Sequence, residues 1–318
     1  MTKPPYCVPS LAEIAKTRGT NGLKCISTFA GGGGSSCGYE MAGYDVVWAN
    51  EYNAHAAECH RLNFPDCILD TRDIREVTSA EVLTATGTAP GELDVLDGSP
   101  PCQGFSMSGK RQVSDLRNTL FWEFARLLEE LQPRAFIAEN VAGMAAGVMK
   151  GVFKEVLAKL KSCGYVVEAR IVDAQWLGVP QTRRRLIFVG MRADTGLTPT
   201  FPTPLAYRYS VRDALPLSQD VKHRLGGFGP PTPCMNRPSP AITATQCRVT
   251  CREHGEAARR NLDISGIKRI CAFPDDFQLT GSYAQQWAVL GNSVPPVMMR
   301  HIAGAVADTL TQAQPPPQ

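Results

Sequence analysis

The sequence has 318 residues, of which 43% are hydrophobic and 20% are charged, and its formal net charge is +3. These proportions are typical of a folded globular protein and exclude a chain that is disordered throughout. The sequence contains no apolar run near the roughly 20 residues that a membrane-spanning helix needs, and residues 1–5 lack the apolar core of a secretory signal. Eleven cysteines without paired spacing predict a reducing compartment, so we expect a cytoplasmic protein without a disulfide framework.

The chain begins with a short helical arm and then alternates strands with helices. Ser10 and Glu13 fit a capping box, which predicts a helix within residues 1–22. A strand is predicted at residues 24–29, and it leads into four consecutive glycines and a helix through Met41. The same alternation predicts strands at residues 45–50, 93–97, 134–138, 166–172 and 186–189, and helices at residues 52–63, 121–131, 153–160 and 296–310.

Strands that alternate with helices indicate an α/β protein with a doubly wound, mostly parallel sheet. The regular pattern stops after Met191, and prolines cluster in residues 198–240, where no clear helix period remains. We therefore predict a large domain of residues 1–191 plus 284–318, and a smaller irregular domain of residues 192–283.

Charge is unevenly distributed along the chain. Residues 181–283 contain 15 Lys and Arg against 8 Asp and Glu, a net charge of +7, whereas the remaining residues carry a net charge of −4. A basic segment of this kind suits a partner with a phosphate backbone. An unevenly charged, solvated surface explains the same distribution equally well.

The glycine run at residues 31–34 and the carboxylate of Glu51 indicate a ligand site. Glycines between a strand and a helix let the backbone approach a cofactor closely, and a carboxylate at the end of the second strand can accept ribose hydroxyls. The spacing does not match Gly-x-Gly-x-x-Gly, so a dinucleotide is poorly supported. A nucleoside-bearing cofactor is favoured over a purely structural turn.

A cysteine and a carboxyl group follow two other strands. Cys102 stands after Pro100 and Pro101 at a predicted strand end, a position better suited to a nucleophile than to a core residue. Glu139 ends the next strand and should lie alongside Cys102, where a partly desolvated carboxyl group can offer a proton.

In combination, these residues resemble the motifs of the DNA (cytosine-5)-methyltransferases. The motifs occur in the family's order and extend from residue 29 to residue 295, nearly the whole chain. The resemblance implies the Rossmann-like fold of methyltransferases that depend on S-adenosylmethionine, with residues 192–283 as a target-recognition domain. The matching motifs are Phe29-Ala30-Gly31-x-Gly33-Gly34, Asn50-Glu51, Asp73-Ile74, Pro100-Pro101-Cys102-Gln103, Glu139-Asn140-Val141, Gln181-x-Arg183-x-Arg185 and Gly291-Asn292-Ser293-Val294-Pro295.

The cofactor of this family is S-adenosyl-L-methionine, and the resemblance assigns residues to it by motif position. Glu51 would hold the ribose, and Asp73 with Ile74 would contact the adenine. One departure is Ser27, where many members carry Asp, and it changes the hydrogen bonding expected around the methionine end. The implied cofactor-binding residues are Phe29, Gly31, Gly32, Gly34, Glu51, Asp73, Ile74, Pro101, Leu120 and Asn292.

The resemblance also implies the reaction. The Cys102 thiolate would attack carbon 6 of cytosine, which makes carbon 5 able to take a methyl group, and Glu139 at N3 would supply or share the stabilising proton. Arg183 and Arg185 would lie beside the base and the cysteine, where a guanidinium can bind the cytosine carbonyl. None of these groups can reach carbon 6 in a stacked duplex, so the base would be flipped out. Residues 192–236 would read the target sequence; because this segment is short for the family, either the target site is short or residues 246–260 share the reading.

The implied partner is double-stranded DNA, methylated at a specific sequence, either within restriction-modification or as an orphan activity. We expect a monomer that associates with the nucleoid through DNA, and a cognate restriction endonuclease would share its target site without contacting it. One alternative is an RNA (tRNA) cytosine-5 methyltransferase on the same fold, although related RNA-acting members differ from this chain at Gly104. Another is a catalytically inactive homologue that only binds DNA, which the intact Cys102, Glu139 and Arg185 argue against.

No metal site is predicted. Cys234, Cys247, Cys251 and His254 could be imagined as zinc ligands. Their Cys-x-x-x-Cys spacing is not that of the common zinc fingers, so we expect a metal-free protein.

Overall fold

The computed structural model of the chain describes residues 3–101, 119–216, 218–225, 232–245, 247–253 and 260–312. The strands in these residues are β1 (Lys24–Thr28), β2 (Asp45–Asn50), β3 (Ile68–Asp70), β4 (Val95–Gly98), β5 (Ala135–Val141), β6 (Tyr165–Asp173), β7 (Gln181–Thr182), β8 (Arg184–Arg192), β9 (Ser218–Leu225), β10 (Thr232–Pro233), β11 (Ser239–Pro240), β12 (Cys247–Glu253) and β13 (Arg260–Asn261).

The helices alternate with the strands in the first half of the chain and close the fold at its end. None of those in the described ranges has the length and apolar character that crossing a membrane requires. The helices are α1 (Leu11–Thr17), α2 (Gly34–Met41), α3 (Ala54–Asn63), α4 (Ser79–Thr86), α5 (Thr119–Leu131), α6 (Lys150–Ser162), α7 (Val211–Ala214), α8 (Ile264–Ile270), α9 (Tyr283–Asn292) and α10 (Pro296–Gln312).

A seven-stranded sheet forms the centre of the fold, with the strand order β3-β2-β1-β4-β5-β8-β6. Neighbours from β3 to β5 are parallel, whereas β8 runs antiparallel to both β5 and β6. The predicted doubly wound, mostly parallel sheet of the α/β class is therefore confirmed. The strand order reverses between β1 and β4, and open α/β sheets bind ligands at the carboxyl ends of the strands beside such a reversal.

Apolar side chains cover both faces of this sheet. In β1, Cys25 belongs to one layer, which includes Met298 of α10, and Ile26 belongs to the other layer, which includes Phe124 of α5. The helical spacing predicted for α5 is confirmed, because the five apolar residues that form this spacing are at most 3% exposed: Phe121, Phe124, Leu127, Leu128 and Leu131.

Three elements near the site differ from the prediction. Helix α3 begins at Ala54 rather than at residue 52, because the Asn53 side chain accepts hydrogen bonds from the backbone N–H groups of His55 and Ala56 and caps the helix. Helix α4 was not predicted, although Thr78 and Glu81 form a capping box before it and Gly87 ends it. The short strand β3 was also missed.

The proline-rich region is less irregular than predicted. It contains a four-stranded antiparallel sheet with the order β10-β9-β12-β13. Pro233 lies in the edge strand β10, where a missing N–H group is tolerated. Val221 and Cys251 are fully buried in the same hydrophobic layer as Cys25 of β1, so the two sheets share a core. The domain boundaries at residues 192 and 283 stay a prediction.

The amino-terminal arm contacts the last third of the chain. The Lys3 ammonium lies 2.7 Å from the Asp213 carboxylate, and the Tyr6 hydroxyl donates to the backbone carbonyl of Arg269 at 2.7 Å. The Leu11 N–H donates to the Asp276 carboxylate at 3.0 Å. The capping box predicted for α1 is present.

Candidate active site

A cavity of about 730 Å³ opens at the carboxyl ends of the parallel strands. Its volume is within the range of small-molecule sites in proteins. Glu139, Arg183 and Arg185 line this cavity together with every residue that the sequence assigned to the cofactor: Phe29, Gly31, Gly32, Gly34, Glu51, Asp73, Ile74, Pro101, Leu120 and Asn292.

The predicted nucleophile, Cys102, lies outside the described residues, as do Gln103 and Gly104. The last residue described before it is Pro101, which lines the cavity. The side-chain amide of Asn140 donates to the carbonyl of Pro100 at 3.1 Å and so links the end of β5 to the approach to the cysteine.

The glycine turn after β1 packs directly against the carboxyl-terminal part of the chain. A Cβ atom at Gly32 would lie 2.4 Å from Cγ1 of Val289, and one at Gly34 would lie 2.4 Å from the carbonyl oxygen of Val294. Phe29 has a φ of 53°, an uncommon left-handed conformation for a side-chain-bearing residue. Glycines are therefore required here by close approach, and they present backbone to the cavity.

Glu51 braces this turn from the end of β2. Its Oε2 accepts from the N–H of Gly31 at 2.8 Å, and its Oε1 accepts from the N–H of Asn53 at 2.7 Å. Burial raises the pKa of Glu51, although these two hydrogen bonds oppose the rise. Carboxylate oxygens can accept more than one hydrogen bond each, so Glu51 keeps capacity for ligand hydroxyls.

Glu139 and Arg185 form an ion pair in the cavity wall. The Arg185 Nε lies 2.7 Å from the Glu139 Oε1, and both side chains are largely buried. They come from β5 and β8, whose antiparallel register brings the two strand ends together. The structure thus pairs an acidic and a basic side chain that lie 46 positions apart in the sequence.

Arg183 has different surroundings from Arg185. It is 2% exposed, and its two terminal nitrogens donate to the carbonyls of Ile242 at 2.8 Å and Gly291 at 3.0 Å. Burial lowers the pKa of Arg183 to about 10. Its Nε has no partner among the described residues. The guanidinium joins three separate chain segments at the cavity.

Several cavity residues were not predicted from the sequence. Tyr52 directly follows Glu51 and is 72% exposed at the cavity. Because the predicted helix began at residue 52, Tyr52 was not identified as a cavity residue. Asn is favoured at helix N-caps, and this preference would have placed the helix start after Asn53. His55 and Gln285 also line the cavity and contact each other.

Among the residues that the structure describes, no three His, Cys, Asp or Glu side chains are grouped so that they could hold a metal ion. Of the imagined zinc ligands, Cys234 and Cys251 are buried thiols that form no disulfide. His254 lies outside the described residues.

Sequence comparisons relate this site to known proteins. The sequence model of the family described as C-5 cytosine-specific DNA methylase matches residues 23–226 and 218–308. The Type II methyltransferase M.XorII of Xanthomonas oryzae is 39% identical over a match covering 60% of this chain and 45% of that protein. M.NgoPII of Neisseria gonorrhoeae is 28% identical over 91% of this chain and 97% of that protein. The chain therefore spans less than half of the first relative and nearly all of the second.

Solved structures give the same fold. A DNA modification methyltransferase encoded within an E. coli prophage superposes with a TM-score of 0.73 at 23% identity, over 91% of this chain and 99% of that chain. The methyltransferase EhMeth of Entamoeba histolytica gives a TM-score of 0.68 at 18% identity, over 91% of this chain and 98% of that chain. These similarities support the Rossmann-like architecture.

Proposed function

The chain belongs to the C-5 cytosine-specific DNA methylase family, and from this premise we propose that it methylates carbon 5 of cytosine in double-stranded DNA with S-adenosylmethionine as the methyl donor. The observation that carries the proposal is the shared cavity. Its wall contains the described cofactor-binding positions of the family and, beside them, the ion pair of Glu139 and Arg185.

The residues present fit S-adenosylmethionine. The glycine turn leaves no room for a Cβ atom at Gly32 or Gly34 and exposes backbone to a ligand. Glu51 is held at the strand end where ribose hydroxyls are expected, and Asp73 and Ile74 form another part of the wall. When bound, S-adenosylmethionine supplies an electrophilic methyl group.

The protein's own task is to make carbon 5 of cytosine nucleophilic. In the proposed mechanism, the Cys102 thiolate forms a bond to carbon 6, and the displaced electron pair makes carbon 5 enamine-like. Glu139 holds or donates the proton at N3, and Arg185 orients Glu139 through their 2.7 Å contact. Carbon 5 takes the methyl group as the methyl–sulfur bond breaks with its electrons left on sulfur, N3 returns its proton to Glu139, and a base removes the proton at carbon 5. The electron pair restores the ring double bond and expels Cys102 as a thiolate.

DNA binding is proposed to involve the basic region and a flipped base. Strands β9 and β12 pair Lys222 with Thr250 and, two positions further along, Arg224 with Arg248. A basic segment suits phosphates, and in this proposal the cavity receives the unstacked cytosine. Residues 192–236 are proposed to contribute to target reading.

The matches favour DNA over RNA as the substrate. The family model describes DNA methylases, and the curated relatives are named Type II methyltransferases. We therefore propose sequence-specific DNA methylation of the restriction-modification type, by a cytoplasmic protein that acts as a monomer. A restriction endonuclease with the same target site is part of this proposal.

The test uses duplex DNA with 5-fluorocytosine at the target, whose carbon 5 cannot release fluorine as a cation. Bisulfite sequencing of DNA from cells that express the protein first identifies the target. With S-adenosylmethionine present, the protein should then form a covalent complex with the fluorinated duplex that survives denaturing electrophoresis. The complex should be absent in Cys102→Ser, because an unactivated hydroxyl is too weak a nucleophile.

The variant Glu139→Gln should form the complex much more slowly and keep most of its cofactor affinity, since its amide cannot donate an acidic proton to N3. A complex that persists in Cys102→Ser would move the nucleophile to another residue and contradict the mechanism. Trapping with a tRNA substrate, but not with DNA, would instead favour the RNA-directed alternative.

A further inference from the structure

A carboxyl group lies buried behind the glycine turn, and the proposed mechanism does not use it. Asp97, in β4, is 1% exposed. The Ser27 hydroxyl donates to its Oδ2 at 2.7 Å, and the Tyr39 hydroxyl lies 3.3 Å from its Oδ1. The Ser35 hydroxyl also helps to lower the pKa of Asp97. These partners are neutral hydroxyls, and none of the ion pairs among the described residues includes Asp97.

Two of the groups that act on the pKa of Asp97, Ser35 and Glu139, line the cavity. Asp97 itself does not line the cavity, but Ser35, the second residue of α2, does. Helix α2 begins at the glycine turn, and its N-cap, Gly33, provides no side-chain hydrogen bond. A change of charge at Asp97 therefore acts on the cavity at the place where the turn becomes a helix.

Among the described residues, the main titratable groups that act on Asp97 are not cations. They are Tyr39 from α2, Cys25 from β1 and Glu139 from β5. Burial, with the nearby carboxylate adding to its effect, raises the pKa of Tyr39 and of Cys25 well above their usual values, so both groups stay neutral. A buried carboxylate without a cation is costly, and a bound cation would relieve that cost.

Ser27 stands where many family members carry Asp, and the structure has a carboxyl group, that of Asp97, beside this position. Ser27 and Asp97 are paired in register across the parallel strands β1 and β4. A carboxyl group is therefore present within 2.7 Å of the Ser27 hydroxyl, but it is carried by the neighbouring strand. A carboxyl group therefore lies behind the glycine turn, although position 27 is neutral.

We propose that Asp97 is a positioning residue whose negative charge, acting through Ser35, favours the cationic methionine end of S-adenosylmethionine. This inference rests on the proposed function, which supplies the identity of the cofactor. The sulfonium and ammonium groups of the cofactor give the buried carboxylate the positive charge that its protein surroundings lack. The binding affinity of a neutral nucleoside without the methionine end should not depend on the charge of Asp97.

Calorimetric titration of the full chain with two ligands tests the proposal. S-Adenosylmethionine carries the cationic end, and 5′-methylthioadenosine retains the nucleoside without it. Asp97→Asn should raise the dissociation constant for S-adenosylmethionine at pH 8 by about tenfold or more, and that for methylthioadenosine by less than about twofold. Asp94→Asn is the matched control, because Asp94 precedes the same strand at its other end and bonds Lys24 and Arg134.

An unchanged affinity of Asp97→Asn for S-adenosylmethionine, or equal weakening of both ligands, would overturn the inference and leave the proposed function intact. If the unaltered chain fails to bind S-adenosylmethionine, the proposed function fails and the inference fails with it.

A charge swap gives a second measurement. Asp97→Ser removes the carboxyl group, and the double variant Ser27→Asp, Asp97→Ser returns it from β1 to the same pair of positions. The double variant should recover the affinity for S-adenosylmethionine to within about threefold of the unaltered chain. A double variant that folds, as shown by circular dichroism, yet binds no better than Asp97→Ser would contradict the role of the charge.

Discussion

The exchange Asp97→Asn should make the protein more stable at neutral and alkaline pH. Burial raises the pKa of Asp97 from 3.8 to about 7, even though hydrogen bonds from Ser27 and Tyr39 lower it. Above pH 7 the folded protein therefore contains a buried charge that the unfolded chain would hydrate. A difference of roughly three pKa units corresponds to about 4 kcal/mol of lost stability.

The sign of the pH dependence follows from proton binding. Because the folded-state pKa of this acid is raised, the folded protein holds more protons than the unfolded chain between about pH 4 and pH 7, and its stability falls as pH rises through that window. Asn keeps an acceptor for Ser27 and Tyr39, but its amide group needs a new partner, at a cost of about 1 kcal/mol. We expect Asp97→Asn to gain about 3 kcal/mol at pH 8 and less than about 1 kcal/mol at pH 5.

Urea unfolding, followed by tryptophan fluorescence at several pH values between 5 and 8, measures this difference. Asp94→Asn provides the control, because the Asp94 carboxylate accepts from the Lys24 N–H and from Arg134, both at 2.8 Å. Its loss should destabilise the protein by about 1–2 kcal/mol at every pH. The reasoning is refuted if Asp97→Asn is less stable than the unaltered protein at pH 8, or if its gain does not change with pH.

Three further results are expected. Glu51→Ala should weaken S-adenosylmethionine binding about tenfold or more in calorimetry and leave DNA binding in gel-shift assays nearly unchanged; equal losses would indicate a purely structural carboxylate. Gly34→Ala should cost about 2 kcal/mol in urea unfolding, because its Cβ would meet a backbone carbonyl oxygen at 2.4 Å, whereas Gly143→Ala, with nothing within 4 Å, should be neutral. Arg183→Met should cost about 2–4 kcal/mol by leaving two carbonyls unpaired, whereas the exposed Arg184→Met should be nearly neutral.

The sequence predicted correctly those elements that depend on residues close together in the chain. The apolar spacing of α5 and the capping box at Ser10 concern residues a few positions apart, and both are present. The helix start at Asn53 was missed because apolar periodicity continued past a capping side chain. The pairing of β9 with β12 joins segments that a proline-rich stretch separates in the sequence, so the region seemed irregular from sequence alone.

The sequence predicted many of the residues that line the candidate site, but it did not predict the contacts between them. Motif order identified many of the residues that line the cavity, because the motifs at Phe29, Glu51 and Pro100 follow strand ends. The Ser27–Asp97 hydrogen bond depends on strand register across 70 positions, and the Arg183–Gly291 hydrogen bond spans 108 positions. Hydrogen bonds between residues so far apart in the sequence depend on the packing of the whole fold. Composition and motif spacing do not predict them.

The amino-terminal arm has a consequence for the order of folding. Its hydrogen bonds to Asp213, Arg269 and Asp276 span 210, 263 and 265 positions. During synthesis the arm leaves the ribosome long before any of these partners exists, and contacts of such separation form late. A nascent chain therefore carries Lys3, Tyr6 and Leu11 undocked until α8 and the segment after it have emerged. The arm can therefore dock only after the carboxyl-terminal third of the chain has reached its native position.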